Sequence, residues 1–159
     1  SLHLLVPRRG ALQALAKSPV DVGQVKVLEY AARQRGQGPG KVLRVDDGVG
    51  FVDVLSKRLS KRDMTVTAAY SGTEAIQTLR KQDFDVTVLD LKLEDMDGIE
   101  ILRIFKKLVP AMPVIMLTGH GSEQAAQEGM AYGAFDYLTK PSDLEDLVDI
   151  IRRAFDQER

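Results

Sequence analysis

From Lys41 onward, short apolar runs alternate with longer amphipathic segments, and this alternation restricts the fold more than any other feature of the chain. Runs this short are typical of buried strands, whereas the amphipathic segments between them are typical of helices. Strands separated by helices indicate βαβ units and a parallel sheet. The five predicted strands cover residues 42–45, 64–69, 86–89, 114–117 and 135–138.

Three of the amphipathic segments open with residues that commonly cap helices. In each, a Ser or Asp stands three residues before a Glu, a spacing that can satisfy backbone N–H groups left without partners in the first helical turn. The pairs are Ser71 with Glu74, Asp97 with Glu100, and Ser142 with Glu145. They predict helices after the second, third and fifth strands.

Charge is distributed unevenly along the chain, although the net charge at pH 7 is only -1. Residues 1–41 carry seven basic and two acidic side chains, a net charge of +5, and the remaining residues carry 15 basic and 21 acidic side chains, a net charge of -6. An acidic domain fits cation binding better than direct contact with nucleic acid, for which a basic surface is expected. The sequence contains no Cys, which excludes disulfides, thiolate zinc sites and cysteine nucleophiles.

The segment Gly36-Gln37-Gly38-Pro39-Gly40 disfavours regular structure, because Gly is costly to order and Pro interrupts helices. It predicts a basic N-terminal extension with a Gly/Pro linker, residues 1–40, followed by one domain, residues 41–159. Within the extension, residues 21–35 have apolar side chains at helical spacing, but a tail without a role is favoured over a partner-binding or dimerising helix. The opening apolar run is too short to cross a membrane, so we expect a soluble, cytoplasmic protein.

Acidic residues stand where two of the predicted strands end. Asp46 and Asp47 directly follow the first strand, and Asp90 ends the third. In an open α/β sheet the carboxyl ends of the strands form the ligand-binding edge, and with a strand order of 2-1-3-4-5 the three carboxylates would converge. Clustered carboxylates repel one another unless a cation lies among them, and oxygen-only ligation suits Mg²⁺. The alternative is that Asp46 and Asp47 only cap the next helix and Asp90 lies in a solvated loop.

Two further strand ends favour the metal site over that alternative. Thr118 closes the fourth strand, and Lys140, followed by Pro141, closes the fifth. A hydroxyl donor and an ammonium group beside a carboxylate cluster suit the stabilisation of charge on a transferring phosphoryl group. Each of these residues alone could be an ordinary loop or strand residue, but all five fall at the same predicted edge.

In these segments the sequence resembles the receiver domains of two-component response regulators. The resemblance covers about residues 41–156 and rests on several short motifs that occur in the family's order. The motifs are Val45-Asp46-Asp47; Val88-Leu89-Asp90-Leu91-Lys92-Leu93 with Met96-Asp97-Gly98; Leu117-Thr118-Gly119; and Tyr137-Leu138-Thr139-Lys140-Pro141. The resemblance implies a flavodoxin-like, doubly wound α/β fold whose five parallel strands have the order 2-1-3-4-5.

The resemblance also implies a role for each residue of the predicted site. Asp90 would accept a phosphoryl group from a sensor histidine kinase or a histidine phosphotransfer protein. Mg²⁺ would bind to Asp46, Asp47, Asp90 and the main-chain carbonyl of Lys92. Thr118 and Lys140 would bind the phosphoryl oxygens. The domain would promote its own phosphorylation and dephosphorylation without turning over an external substrate.

Signal output is implied to pass through a conformational switch. Thr118 would move toward the phosphoryl group, and Tyr137 resembles the family's switch aromatic, which swings inward in response. The predicted fourth helix, residues 122–132, carries Gly129 in its interior and is therefore expected to be weak. We expect helix 4, strand 5 and helix 5 to form the surface that binds an output protein or a dimer partner.

Three residues depart from the family's usual pattern: Gly48, Glu94, and Arg44, a charged residue inside a strand that is expected to be buried. These departures leave open a receiver-like scaffold that is never phosphorylated. A Mg²⁺-dependent hydrolase is less favoured because the loops are too short to hold a substrate-binding insertion. A DNA-binding regulator would need an output domain beyond residue 159.

Overall fold

The computed structural model describes residues 40–48, 50–119 and 123–158, which form a five-stranded parallel sheet and five helices. The predictions for residues 1–39, including the helix at 21–35, lie outside the described residues. No helix in the described ranges combines the length and the apolar character needed to cross a bilayer.

Strands and helices alternate throughout the described part of the chain, as the pattern of apolar runs predicts. The strands are β1 Gly40–Val45, β2 Met64–Ala69, β3 Val86–Asp90, β4 Val114–Thr118 and β5 Asp136–Thr139. The helices are α1 Gly50–Ser60, α2 Gly72–Lys81, α3 Gly98–Leu108, α4 Glu123–Ala131 and α5 Leu144–Glu158.

The sheet order is β2-β1-β3-β4-β5 with every pair parallel, which confirms the flavodoxin-like fold and the strand order 2-1-3-4-5. In the register of the sheet, Val45 lies opposite Leu89, and Thr118 lies opposite Thr139. The strands therefore end nearly level with one another, and the residues that follow them share one edge of the sheet.

Alternate residues of the strands enter two apolar layers, one on each face of the sheet. On one face, Leu43 and Leu89 pack with buried residues of α2 and α3; on the other, Val42 and Val88 pack with α1 and α5. All residues of β3 and β4 are buried, as expected for central strands that helices cover on both faces. This rigid double layer supports the edge at which the strands end.

Two of the three predicted helix caps are confirmed, and the third is displaced by one residue. Ser71 accepts a hydrogen bond from the Glu74 amide at 3.0 Å, and Asp97 accepts one from the Ile99 amide at 2.9 Å. The predicted cap at Ser142 is wrong. α5 begins at Leu144, and the carboxylate that accepts from its first turn, at 3.3 Å, belongs to Asp143.

The first strand begins at Gly40, one residue before the predicted domain boundary. The Gly40 amide donates to the carbonyl of Asp63 at 2.9 Å. A Cβ atom at this position would lie 2.6 Å from the ring of Phe155, so the close approach of α5 requires the glycine. The last residue of the predicted linker is therefore part of the sheet.

Gly98, at the start of α3, provides a test of how closely the loop after β3 packs on that helix. A Cβ atom at Gly98 would lie 2.5 Å from the Leu91 Cα atom, a backbone position that cannot rotate away. We expect Gly98→Ala to lower the free energy of unfolding by about 1–3 kcal/mol in urea denaturation. Gly48→Ala is the control, because its Cβ would meet only Asp46 Oδ1 at 3.7 Å. Equal stability of the two variants would contradict the packing argument.

Candidate functional site

The residues singled out in the sequence lie at the carboxyl edge of the sheet. Asp46 and Asp47 follow β1, Asp90 is the last residue of β3, Thr118 is the last residue of β4, and Lys140 follows β5. They come from four different strand ends that are adjacent in the sheet order. The fold thus brings together side chains that are up to about a hundred positions apart in the sequence.

Asp90 is a buried carboxylate held by two donors. Its residue is 3% exposed. Its Oδ1 atom accepts a hydrogen bond from the Lys92 amide at 2.9 Å, and its Oδ2 atom forms an ion pair with the Lys140 ammonium group. The Lys140–Pro141 peptide bond is cis. Lys140 supplies positive charge to a carboxylate that burial would otherwise destabilise.

Asp46 is paired with an arginine inside the sheet. Arg44 is the next-to-last residue of β1, with 2% of its surface exposed, and its Nη2 atom is 2.5 Å from Asp46 Oδ2. Burial lowers the pKa of Arg44, whereas the carboxylates of Asp46 and Asp90 oppose that shift. The other Asp46 oxygen, Oδ1, accepts a hydrogen bond from the Gly48 amide at 3.1 Å. The sequence identified Arg44 as unusual but did not predict this partner.

The donor chemistry of the edge fits Mg²⁺, because Asp46, Asp47, Asp90 and the Lys92 carbonyl offer only oxygen ligands. Asp47 is exposed, whereas Asp46 and Asp90 each face a basic side chain. Within the described ranges, no three His, Cys, Asp or Glu side chains are grouped closely enough to hold a metal ion as they stand.

Thr118 and Tyr137, the two predicted switch residues, lie on β4 and β5. The Thr118 residue is 1% exposed, and its hydroxyl is 3.4 Å from the Leu138 carbonyl oxygen and 3.5 Å from the Thr139 hydroxyl. Both distances are long for hydrogen bonds between oxygen atoms. Tyr137 is 37% exposed. Thr139, which the sequence analysis assigned no role, lies directly opposite Thr118 in the sheet register.

The loop after β3 is anchored to α2 through Asp95, a contact that the sequence did not predict. Asp95 accepts hydrogen bonds from the amides of Gly72 and Thr73, each at 3.0 Å, and from the Thr73 hydroxyl at 2.9 Å. These backbone donors lower the pKa of Asp95. They are the N–H groups of the first helical turn, which have no partners within the helix. An acidic residue facing a distant helix start leaves no local signal in the sequence.

A cleft of about 470 Å³ opens beside the site. Its lining includes both basic side chains of the site, Arg44 and Lys140, together with Asp46, and it is closed by Leu117, Pro141 and Ser142. The side chains of Arg44 and Lys140 therefore have open volume beside the carboxylates with which they are paired.

Residues 42–152 match the family model described as the response regulator receiver domain. The chain is 37% identical over 119 residues to the transcriptional regulatory protein GlrR of Escherichia coli. This match covers 75% of this chain and 27% of that protein. It is 36% identical over 115 residues to the DNA-binding transcriptional regulator NtrC of Escherichia coli, covering 72% of this chain and 24% of the relative. The chain therefore spans about a quarter of the length of these curated relatives.

Solved structures with the same fold include two receiver domain proteins. A response regulator receiver domain protein from Clostridium thermocellum superposes with a TM-score of 0.70 at 35% identity, covering 75% of this chain and 96% of that one. A CheY-like receiver domain protein from Methanospirillum hungatei superposes with a TM-score of 0.71 at 30% identity, covering 76% and 97% of the two chains.

The Asp95 contacts predict a specific dependence of stability on pH. Because the folded state lowers the pKa of Asp95, the ionised carboxylate stabilises the fold at pH values above its unfolded pKa, and this contribution is lost as the pH falls through the folded pKa. We expect Asp95→Asn to melt at a lower temperature than the wild type near pH 7, with the difference shrinking toward about pH 3.

Glu94→Gln removes a charge from the same loop and serves as the control, since Glu94 is exposed. Its melting temperature should follow that of the wild type across the pH range. A difference between Asp95→Asn and the wild type that stays constant with pH would contradict the assignment.

Proposed function

The chain belongs to the response regulator receiver domain family, and on that premise we propose that Asp90 accepts a phosphoryl group and that the domain signals by changing its binding surface. The phosphoryl donor would be a phosphohistidine of a sensor histidine kinase or of a histidine phosphotransfer protein. An Asp90 oxygen attacks phosphorus, the phosphorus–nitrogen bond breaks, and the imidazole leaves with the bonding electron pair. The product is an aspartyl phosphate.

The observation that carries this proposal is the pairing of buried Asp90 with Lys140 at the end of β3. A carboxylate that is held in place and shielded from bulk water is preorganised for attack. As the phosphoryl group arrives, the Lys140 ammonium group can transfer its contact from Asp90 to a phosphoryl oxygen, where it stabilises the developing negative charge. The domain would thereby assist its own phosphorylation. It would also assist its own dephosphorylation, in which a water oxygen attacks phosphorus and the Asp90 carboxylate leaves, and neither step needs an external substrate.

Asp47, Asp90, Asp46 and the Lys92 carbonyl are the groups that we propose hold Mg²⁺. A bound Mg²⁺ would neutralise charge on the phosphoryl oxygens. Asp47 is exposed, whereas both Asp46 oxygens already accept from Arg44 and Gly48. This difference supports Asp47 as a stronger ligand than Asp46.

Thr118 and Tyr137 are proposed as the switch. The two contacts of the Thr118 hydroxyl are long, so little interaction energy is lost when the hydroxyl turns to donate to a phosphoryl oxygen. The same strand carries Met116, whose sulfur occupies the space where a side chain of Gly129 in α4 would begin. The sequence predicts a low helix stability for α4 because of Gly129 in its interior. In the structure this glycine also packs against Met116, and this contact links β4 to α4.

Output is proposed to pass through the surface of α4, β5 and α5. Met130 of α4 and Tyr137 of β5 are large side chains that are 40% and 37% exposed. This surface would contact an output protein or a dimer partner, and we expect it to act in the cytoplasm. DNA binding, which the name of NtrC states for that whole protein, is not proposed for the described domain itself.

Removal of the acceptor tests the central claim. Incubation with acetyl phosphate and Mg²⁺ should raise the intact mass of the wild type by one phosphate that hydroxylamine removes. EDTA should prevent the gain. Asp90→Asn, which keeps the size of the side chain, should show no gain, whereas Asp149→Asn on the exposed face of α5 should be labelled like the wild type. Hydroxylamine-labile labelling of Asp90→Asn would move the acceptor to another residue.

The switch is tested by hydrogen exchange with and without beryllofluoride, which stands in for the phosphoryl group. In the wild type we expect protection to change in the loop after β3 and also along 118–140. In Thr118→Ala the change should be confined to the loop, because the hydroxyl that transmits it is missing. Thr73→Ala, which removes a hydroxyl from α2, is the control and should respond like the wild type. An unchanged 118–140 segment in the wild type would contradict the switch.

A further inference from the structure

Arg44 is a buried cation near the carboxyl end of β1, beside the proposed metal site. Its residue is 2% exposed, and its guanidinium lies 2.5 Å from Asp46 Oδ2. We propose that Arg44 is a positioning residue that competes with Mg²⁺ for Asp46 and so sets a low metal affinity in the unphosphorylated domain. This inference rests on the proposed function, because it concerns the metal used there.

The first argument is the charge at the edge. Asp46, Asp47 and Asp90 contribute three negative charges, and Lys140 contributes one positive charge that is paired with Asp90. Arg44 adds a second positive charge, so the net charge falls in magnitude from -2 to -1. Interactions between charges at a partly buried site are screened weakly, and a divalent cation responds twice as strongly as a monovalent one.

The second argument is the geometry of Asp46. One of its oxygens accepts from Arg44 and the other accepts from the Gly48 amide at 3.1 Å, so a metal bound by Asp46 would share an oxygen that already has a donor, close to the positive charge of Arg44. The cleft of about 470 Å³ beside Arg44 and Asp46 offers the guanidinium space to move when the carboxylate turns away. Metal binding therefore includes a cost that a neutral residue at position 44 would not impose.

A purely structural role for Arg44 makes the opposite prediction. If the arginine only stabilises the fold, its loss should loosen the edge and weaken metal binding, or leave it unchanged. If it competes with the metal, its loss should tighten binding even when the metal-free domain becomes less stable. The sign of the change in Mg²⁺ affinity separates the two roles.

The experiment measures the Mg²⁺ dissociation constant by calorimetry, together with the Mg²⁺-induced shift in melting temperature. Arg44→Met replaces the arginine with an unbranched apolar side chain and leaves Asp46 without its ion-pair partner, so the metal-free domain is expected to become less stable. We expect it to bind Mg²⁺ on the order of tenfold tighter than the wild type and to show a larger melting shift.

Two matched variants separate charge from position. Arg44→Lys keeps the charge and should bind Mg²⁺ much like the wild type. Arg58→Leu removes an arginine of the last turn of α1, which is paired with Glu145 and not with a carboxylate of the site, and should also leave the affinity unchanged. As a further check, Asp46→Asn should weaken Mg²⁺ binding more in the Arg44→Met background than in the wild type, because Asp46 is released for ligation there.

Suppose that Arg44→Met binds Mg²⁺ no more tightly than the wild type, while Asp47→Ala binds it more weakly than the wild type. This result would overturn the role of Arg44 and leave the proposed function standing. A tenfold gain that Arg58→Leu shares would also overturn it, because net charge alone would then explain the effect. Failure of the wild type, Arg44→Met and Asp47→Ala alike to bind Mg²⁺ would reject both the inference and the proposed metal site.

Discussion

A carboxylate buried at the end of a central strand needs positive charge beside it, and the pairing of Asp90 with Lys140 meets that need. The ion pair joins the end of β3 to the residue after β5, across the intervening β4. It also leaves a basic group in contact with the atom that we propose to be phosphorylated. The same contact therefore explains how the acidic edge is tolerated in the folded domain and how negative charge on an incoming phosphoryl group would be stabilised.

The loop after β3 connects this edge to the helices. Near its start the Lys92 amide donates to Asp90, farther along Asp95 accepts from the first amides of α2, and its last residue Asp97 caps α3. Gly98 lets the start of α3 lie against Leu91 at the other end of the loop. A change in charge at Asp90 thus occurs beside a loop that is held by several hydrogen bonds. By contrast, the Thr118 hydroxyl makes only long contacts with its neighbours. We infer that movement is easier on the β4 side.

Family membership explains the common parts of this site, and the individual residues of the chain explain the rest. Asp46, Asp47, Asp90, Thr118 and Lys140 lie in the motifs through which the sequence resembles the family. Arg44 does not follow from that pattern, and in this chain it engages one of the acids through which the metal is proposed to bind. The chain spans about a quarter of the length of the curated relatives that it matches.

The sequence by itself determined the order of strands and helices, the starts of α2 and α3, and the acids at the strand ends, because these depend on local periodicity and capping. The strand order entered as a family resemblance. Only the tertiary structure decided which groups meet: Asp90 with Lys140, Asp95 with α2, and Thr118 with Thr139. These partners are between 21 and 50 residues apart, and local pattern carries no information about such pairs. Arg44 and Asp46 are close in sequence and share a strand face, but the burial that unites them is again a property of the sheet and its covering helices.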